Sequence, residues 1–189
     1  QNFYEEYKVH IVISADNECA FRSACENGHL KLAKWLYQIK PTINVSAYDD
    51  CAFRFVCENG YLELAKWLYE IKPTINVSAQ NDYAFCWACY FGHLEVAKWL
   101  YQIKPTINVS AENEEAFRYA CKNGQLEVAK WLYEIKPTIV VSAENEEAFR
   151  YACKNGQLEV VKWLQTLIPC GLYYTFQVGL NNEIISYST

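Results

Sequence analysis

The residues best suited to chemistry lie in one short stretch, Cys86-Trp87-Ala88-Cys89 followed by His93. Two cysteines at this spacing with a nearby histidine could form part of a zinc or redox site. A structural zinc ion needs four ligands, however, and no second Cys or His pair follows at metal-site spacing. Cys89 also belongs to a periodic series of cysteines. The sequence therefore predicts no metal, no cofactor and no redox chemistry.

Other catalytic arrangements do not stand out in the sequence. The histidines are His10, His29 and His93, and we find no Ser-His-Asp order, phosphate-cradling glycine loop or separated carboxylate pair. His29 and His93 follow a glycine expected to end a helix, at a position that Tyr or Gln occupies elsewhere. This favours support of a turn. We predict that the protein is not an enzyme.

Acidic residues precede an arginine by four positions in several places. The pairs are Glu18/Arg22, Asp50/Arg54, Glu114/Arg118 and Glu146/Arg150. On a helix, an exposed pair at this spacing contributes roughly 0.2–0.5 kcal/mol. We interpret these pairs as solvated support for a helix, since exposed ion pairs are weak.

The pairs recur because the chain repeats every 32 residues. Steps of this length from Ala116 reach Ala20, Ala52, Ala84 and Ala148, each followed by Phe. We predict five units, at 14–45, 46–77, 78–109, 110–141 and 142–173. Residues 1–13 align with the second half of a unit, and 174–189 form a C-terminal cap or tail. Each unit of such an array contacts mainly its neighbours.

The fourth unit shows the elements most clearly. Asn113 is a plausible N-cap of its first helix, and Gly124 ends that helix. The predicted buried arc comprises Ala116, Phe117, Ala120 and Cys121. A second helix runs from about Leu126 to Ile135, and Pro137 ends it. The β-branched residues at 138–141 predict an extended connector.

Five of the nine cysteines occupy one position of the repeat. They are Cys25, Cys57, Cys89, Cys121 and Cys153. Stacked helices lie roughly 8–10 Å apart, whereas a disulfide needs Cα atoms within about 7 Å. We therefore expect small, buried, reduced thiols and a cytoplasmic location.

Charge and hydropathy exclude two kinds of partner. The formal net charge is -5, and Lys and Arg recur singly, so no basic stripe would follow a phosphate backbone. No apolar run approaches the roughly 18 residues that a membrane span needs. We expect neither a nucleic acid nor a membrane partner.

The unit resembles the ankyrin repeat. The matching stretches are Asn-Gly-Gln-Leu-Glu-Val-Ala-Lys-Trp-Leu, its variant ENGHLKLAKWL at 26–36 and the preceding Ala120-Cys121. The resemblance covers residues 14 to about 168 and implies an all-α solenoid of helix-turn-helix repeats with short extended connectors, acting as a protein-binding scaffold. The family's T-P-L-H opening is replaced by E-A-F-R, and its Asp-x-x-Gly turn is missing, so simpler loops would replace its β-hairpin fingers.

The wording A-F-R-Y-A-C-x-N-G-x-L-E-V-A-K-W-L is similar to the divergent ankyrin arrays of amoeba-infecting giant viruses. That similarity implies a viral protein located in the host cytoplasm or the virion.

The third unit departs from its sisters on the first helix. Where the fourth unit has Glu115, Arg118, Tyr119 and Lys122, the third has Tyr83, Cys86, Trp87 and Tyr90, and Phe91 replaces an Asn found in every other unit. Exposed Trp and Tyr dominate binding hot spots. We predict a partner-binding surface comprising Tyr48, Phe55, Tyr83, Trp87, Tyr90, Phe91 and Tyr119.

Two interpretations of these residues stay open. Trp87 could instead belong to an aromatic ladder, formed with Phe55, Tyr119 and Tyr151, that packs between adjacent units. The predicted function is a protein-interaction scaffold that binds a protein partner along the concave face of the first helices. The alternative is a structural protein that self-associates through its ends, where Phe3, Tyr4 and Tyr7 would be exposed.

Overall fold

The computed structural model of the protein describes residues 18–109, 111–139, 143–167, 175–179 and 184–188. The predicted half repeat at 1–13, with Phe3, Tyr4 and Tyr7, lies outside these ranges, as do the side chains of Asn113 and Glu146. None of the helices in the described ranges is both long enough and apolar enough to cross a membrane.

Ten helices fill most of the described chain, and they alternate between a first and a second helix of each unit. They are α1 (Cys19–Glu26), α2 (Leu30–Ile39), α3 (Ala47–Glu58), α4 (Leu62–Ile71), α5 (Ala79–Phe91), α6 (Leu94–Ile103), α7 (Ala111–Lys122), α8 (Leu126–Ile135), α9 (Ala143–Lys154) and α10 (Leu158–Leu167). The predicted all-α solenoid of helix-turn-helix repeats is confirmed. The unit boundaries themselves stay a prediction.

The first helices form the continuous core of the array. In α7 the four residues of the predicted arc, Ala116, Phe117, Ala120 and Cys121, are all buried. Successive first helices contact each other directly, and each also contacts the second helix of its own unit. Small residues at three of the four positions permit this close approach.

Aromatic contacts join each second helix to the preceding unit. The indole of Trp99 lies 6.1 Å from the ring of Phe53 and 5.9 Å, edge-on, from that of Tyr69. The same arrangement surrounds Trp67, Trp131 and Trp163. Since an aromatic side chain buries about 150–250 Å², these contacts are a major part of each interface between units.

The turn between the two helices of a unit is also locked by the next unit. Gly60 ends α3 in the left-handed conformation, with φ +78. A Cβ on Gly60 would lie 2.4 Å from Nδ1 of His93, which covers this glycine from the following unit. Tyr61, Gln125 and Gln157 cover the equivalent glycines in the same way. His93 therefore supports a turn, as expected, but the turn belongs to the preceding unit.

The connectors differ from the predicted extended form. After α4, the amide of Ile75 donates to the Lys72 carbonyl at 3.0 Å, and that of Ala79 to Asn76 at 2.9 Å. These are turns, and they bury Ile75 and Val77. Burial of these β-branched side chains, which the sequence analysis did not predict, accompanies the turns of the connector.

The first helices of the second and third units begin with a left-handed turn. Tyr48, Asp49 and Asp50 have φ of 55, 54 and 57, and the equivalent Gln80, Asn81 and Asp82 behave alike. Asp and Asn tolerate this conformation better than most residues. Asp49 and Asn81, the equivalents of the N-cap predicted at Asn113, both lie inside this turn.

The five periodic cysteines are free and buried. Burial raises the pKa of the Cys25 thiol to about 12, and it raises the pKa of Cys57 and Cys121 still further. A thiol held this far from ionisation is a poor nucleophile and a poor metal ligand. These residues act as small apolar side chains.

A short hairpin follows the last helix. Strand β1 (Thr175–Val178) pairs antiparallel with β2 (Ile184–Ser188), with an irregularity after Gln177. Phe176 and Ile184 pack against the core, and β2 contacts α9. This contact is compatible with a capping role for 174–189, which stays a prediction.

Candidate functional site

Five of the seven residues predicted for partner binding form one cluster of touching rings. Along α5, Trp87 lies 5.5 Å from Tyr83, 4.9 Å from Tyr90 and 5.7 Å from Phe91, measured between ring centroids. Tyr90 also contacts Phe91 at 4.8 Å. Their spacing of four, seven and eight residues places these side chains on one side of a helix. We call them, with Tyr119, the aromatic cluster.

Tyr119 joins the cluster from the neighbouring helix α7. Its ring meets that of Tyr90 edge-on at 5.5 Å. The rings that contact Trp87 belong to its own helix, α5. The ring contact with the fourth unit is made by Tyr90. This geometry differs from a ladder in which Phe55, Trp87, Tyr119 and Tyr151 would stack on each other directly.

Hydrogen bonds fix the edges of the cluster. The hydroxyl of Tyr83 donates to Oε2 of Glu58 in the preceding unit at 2.8 Å. Burial and this bond raise the pKa of Tyr83 to about 12. Burial, and next a hydrogen bond to Glu115, raise the pKa of Tyr119. The Arg54 guanidinium lies over the Tyr83 ring at 5.1 Å. The rings are therefore held in a preformed arrangement.

Phe91 replaces a residue that has a structural task in its sisters. In the second unit, Nδ2 of Asn59 donates to the Phe55 carbonyl at 2.9 Å and to the Glu26 carbonyl of the first unit at 3.4 Å. Phe91 cannot donate either bond. Burial lowers the pKa of His93, and the nearby Glu58 backbone partly offsets this shift. Phe91 itself is 44% exposed.

The remaining two predicted residues lie outside the cluster. Tyr48 is 55% exposed, with the Arg22 guanidinium 4.7 Å above its ring. Phe55 is half-buried, and among the described residues its ring takes part in none of the cluster's contacts. The structure thus brings together the predicted residues of α5 and α7. It leaves the two predicted residues of α3 outside the cluster.

The interpretation of the acid–arginine pairs as solvated helix support is wrong for Glu18, Asp50 and Glu114, which are all buried. Glu18 pairs with Lys40 at 3.0 Å, and Oδ2 of Asp50 accepts from the Asn76 amide at 3.0 Å. Both contacts lie within one unit, and the acid at every thirty-second position, five in all from Glu18 to Glu146, is the sequence signal for this role.

Arg54 is likewise a structural residue that the sequence interpretation missed. It is buried, and it donates to the carbonyls of Asp49 at 3.0 Å and Tyr48 at 3.2 Å. Its third bond reaches Oε1 of Gln80 in the next unit at 2.8 Å. Arg54 therefore stabilises the left-handed turn and ties it to the following unit.

The Cys86-x-x-Cys89 motif has a structural explanation. Both thiols are buried in α5, while His93 lies over Gly60. Across the described ranges, no group of three or more His, Cys, Asp or Glu side chains could hold a metal ion.

Paired helices that repeat every 32 residues and stack unit on unit define a helical repeat solenoid. The family model for ankyrin repeats, which spans three copies, matches residues 21–111, 53–143 and 85–171. The matches overlap and together span most of the chain, so the protein belongs to the ankyrin-repeat family. Members of this family are generally protein-interaction modules and typically non-enzymatic. No curated protein matches the chain significantly.

Proposed function

We propose that this protein is a non-enzymatic scaffold that binds a protein partner along the concave face of its first helices, centred on the third unit. The observation that carries the proposal is the aromatic cluster. Its rings are already in contact before any partner arrives, so binding would order few side chains. Trp and Tyr are also the residues that contribute most at protein interfaces.

The sister units indicate that the fold does not need an aromatic residue at the positions of Tyr83, Tyr90 and Phe91. The position of Tyr83 holds Glu115 in the fourth unit, and that of Tyr90 holds Lys122. Phe91 displaces an Asn that bonds two carbonyls in the second unit. An exposed phenyl ring that removes such bonds supports a role in recognition.

The test replaces the cluster with the residues of the fourth unit. The variant carries Tyr83→Glu, Trp87→Tyr, Tyr90→Lys and Phe91→Asn, all of which α7 already accommodates. Tyr61→Gln is the matched control, because Tyr61 is also an exposed aromatic and Gln is again the fourth-unit residue. Circular dichroism and urea unfolding check that both variants keep the fold.

Each protein is used to capture partners from extracts of its native source, followed by mass spectrometry and affinity measurement. We expect the four-residue variant to bind at least about tenfold more weakly than wild type, as loss of a hot spot implies, while Tyr61→Gln binds normally. Unchanged affinity in a folded four-residue variant would contradict the proposal.

Sedimentation velocity tests the structural alternative. A scaffold stays monomeric across a range of concentrations, whereas a protein that assembles through its ends grows with concentration. Origin in a giant virus and a cytoplasmic location in the host belong to the proposal as predictions from the sequence.

A further inference from the structure

One column of the first helices changes its charge along the array. Successive units place Glu26, Glu58, Tyr90, Lys122 and Lys154 at the same position. The column is acidic before the aromatic cluster and basic after it. Because neighbouring helices pack roughly 8–10 Å apart, the opposite charges are separated in space and do not neutralise each other.

The charges of this column are available to a partner. Glu26 and Lys154, at its two ends, are exposed. Glu58 accepts the Tyr83 hydroxyl through Oε2, a bond that leaves its charge intact. The ammonium of Lys122 lies 5.9 Å and 5.3 Å from the ring centroids of Tyr119 and Tyr151.

Other charged groups on this face are engaged within the protein. Arg54 is buried and bonded to carbonyls and Gln80, and Arg118 forms an ion pair with Glu147. Arg22 lies over the Tyr48 ring. Arg150 is exposed and adds to the positive charge of the C-terminal half. Glu115 is half-buried and accepts a hydrogen bond from Tyr119, so the asymmetry belongs to the column and not to every charged group of the face.

Resting on the proposed function, we infer that the partner segment is an extended peptide of dipolar charge. Its basic end would face Glu26 and Glu58, an apolar or aromatic residue would contact the aromatic cluster, and its acidic end would face Lys122 and Lys154. The four steps from Glu26 to Lys154 span roughly 32–40 Å. At about 3.3 Å per residue, this length requires a segment of about 10–12 residues.

Charge complementarity favours this occupant over a uniform polyanion. A nucleic acid lying along the column would meet Glu26 and Glu58, and like charges in contact suppress binding. A peptide with alternating charges would gain no affinity at either end. Screening at physiological salt limits each interaction to about 8 Å, and within that distance each charge of the column would meet both signs on the peptide.

Selection of random peptides of about 12 residues, displayed on phage, tests the inference against the full-length protein. We expect enriched peptides to carry Lys or Arg on one side of a central aromatic residue and Asp or Glu on the other. A synthetic peptide of this pattern should bind about tenfold more tightly than a version with the same composition and alternating charges, since four exposed pairs are each weak. High salt should remove the difference.

The matched variant is Glu26→Lys with Glu58→Lys, which introduces the residues of the fourth and fifth units and makes the column uniformly basic. We expect selection against it to enrich peptides that are acidic on both sides of the aromatic residue. Enriched peptides with an aromatic centre but no segregation of charge would overturn the dipolar inference and leave the proposed function intact. Enrichment that is equally strong for the four-residue cluster variant would overturn the proposed function instead.

Discussion

Alanine substitution of the glycines that end the first helices can distinguish two costs in the free energy of unfolding. One is local to the backbone, and the other comes from contact with the next unit. Gly60 and Gly156 have φ of +78 and +69, so alanine at either site must adopt the left-handed conformation, at roughly 1–2 kcal/mol. The two sites differ in what the new methyl group meets. At Gly60 it lies 2.4 Å from His93 Nδ1, whereas nothing lies within 4 Å at Gly156.

The clash at Gly60 adds a second cost. The His93 ring must move, and a side chain forced away from its rotamer costs roughly 0.5–1.5 kcal/mol. We therefore expect Gly60→Ala to lower the free energy of unfolding by roughly 1.5–3.5 kcal/mol. Gly156→Ala should cost only the conformational part, about 1–2 kcal/mol.

Urea unfolding followed by circular dichroism measures both costs, and a double-mutant cycle with His93→Ala isolates the part that crosses the junction. In the His93→Ala background the methyl group meets no ring. Gly60→Ala should then cost about as much as Gly156→Ala does in the wild-type protein. An equal cost of Gly60→Ala with and without His93 would refute the proposed contact between the units.

Three further outcomes test the core, the thiols and the cluster. Phe53→Ala should lower the free energy of unfolding by about 3–5 kcal/mol, because Phe53 is fully buried; a loss under 1 kcal/mol in urea unfolding would contradict this packing. In a thiol-reagent assay, exposed Cys19 should react in the native protein and buried Cys57 only after denaturation; equal native rates would contradict the burial. The raised pKa of Tyr83 means that its contribution to stability is full below pH 10 and is lost as pH rises through about 12. Urea unfolding over this range should show a smaller loss for Tyr83→Phe than for wild type, and parallel losses would argue against the raised pKa that burial and the bond to Glu58 produce.

Much of the candidate site was predictable because it lies on one helix. Tyr83, Trp87, Tyr90 and Phe91 share a helical face by their spacing alone, and comparison with Lys122 showed that the position tolerates charge. Phe55 could not be placed this way, since its distance from the cluster depends on how α3 packs against α5. The role of His93 was also partly hidden, because the glycine that it covers belongs to the preceding unit.

The acidic residues of the first helices, unlike the apolar core, could not be placed from the sequence. The spacing of Glu18 and Arg22 is that of an exposed helical pair, and this pattern cannot show that the carboxylate is buried against Lys40. The left-handed turn at Tyr48, Asp49 and Asp50 was equally hidden. It is stabilised by Arg54 through contacts that exist only after the chain has folded back on itself.

The sequence by itself determined the repeat, the two helices of each unit, the buried arc and the family. It could do so because 3.6 residues per turn convert local spacing into a face, and because a strict period repeats that face in every unit. Only the tertiary structure decided which side chain meets which across a junction. Those partners depend on how one unit is offset from the next, and this offset places His93 over Gly60, Arg54 against Gln80 and Tyr90 against Tyr119.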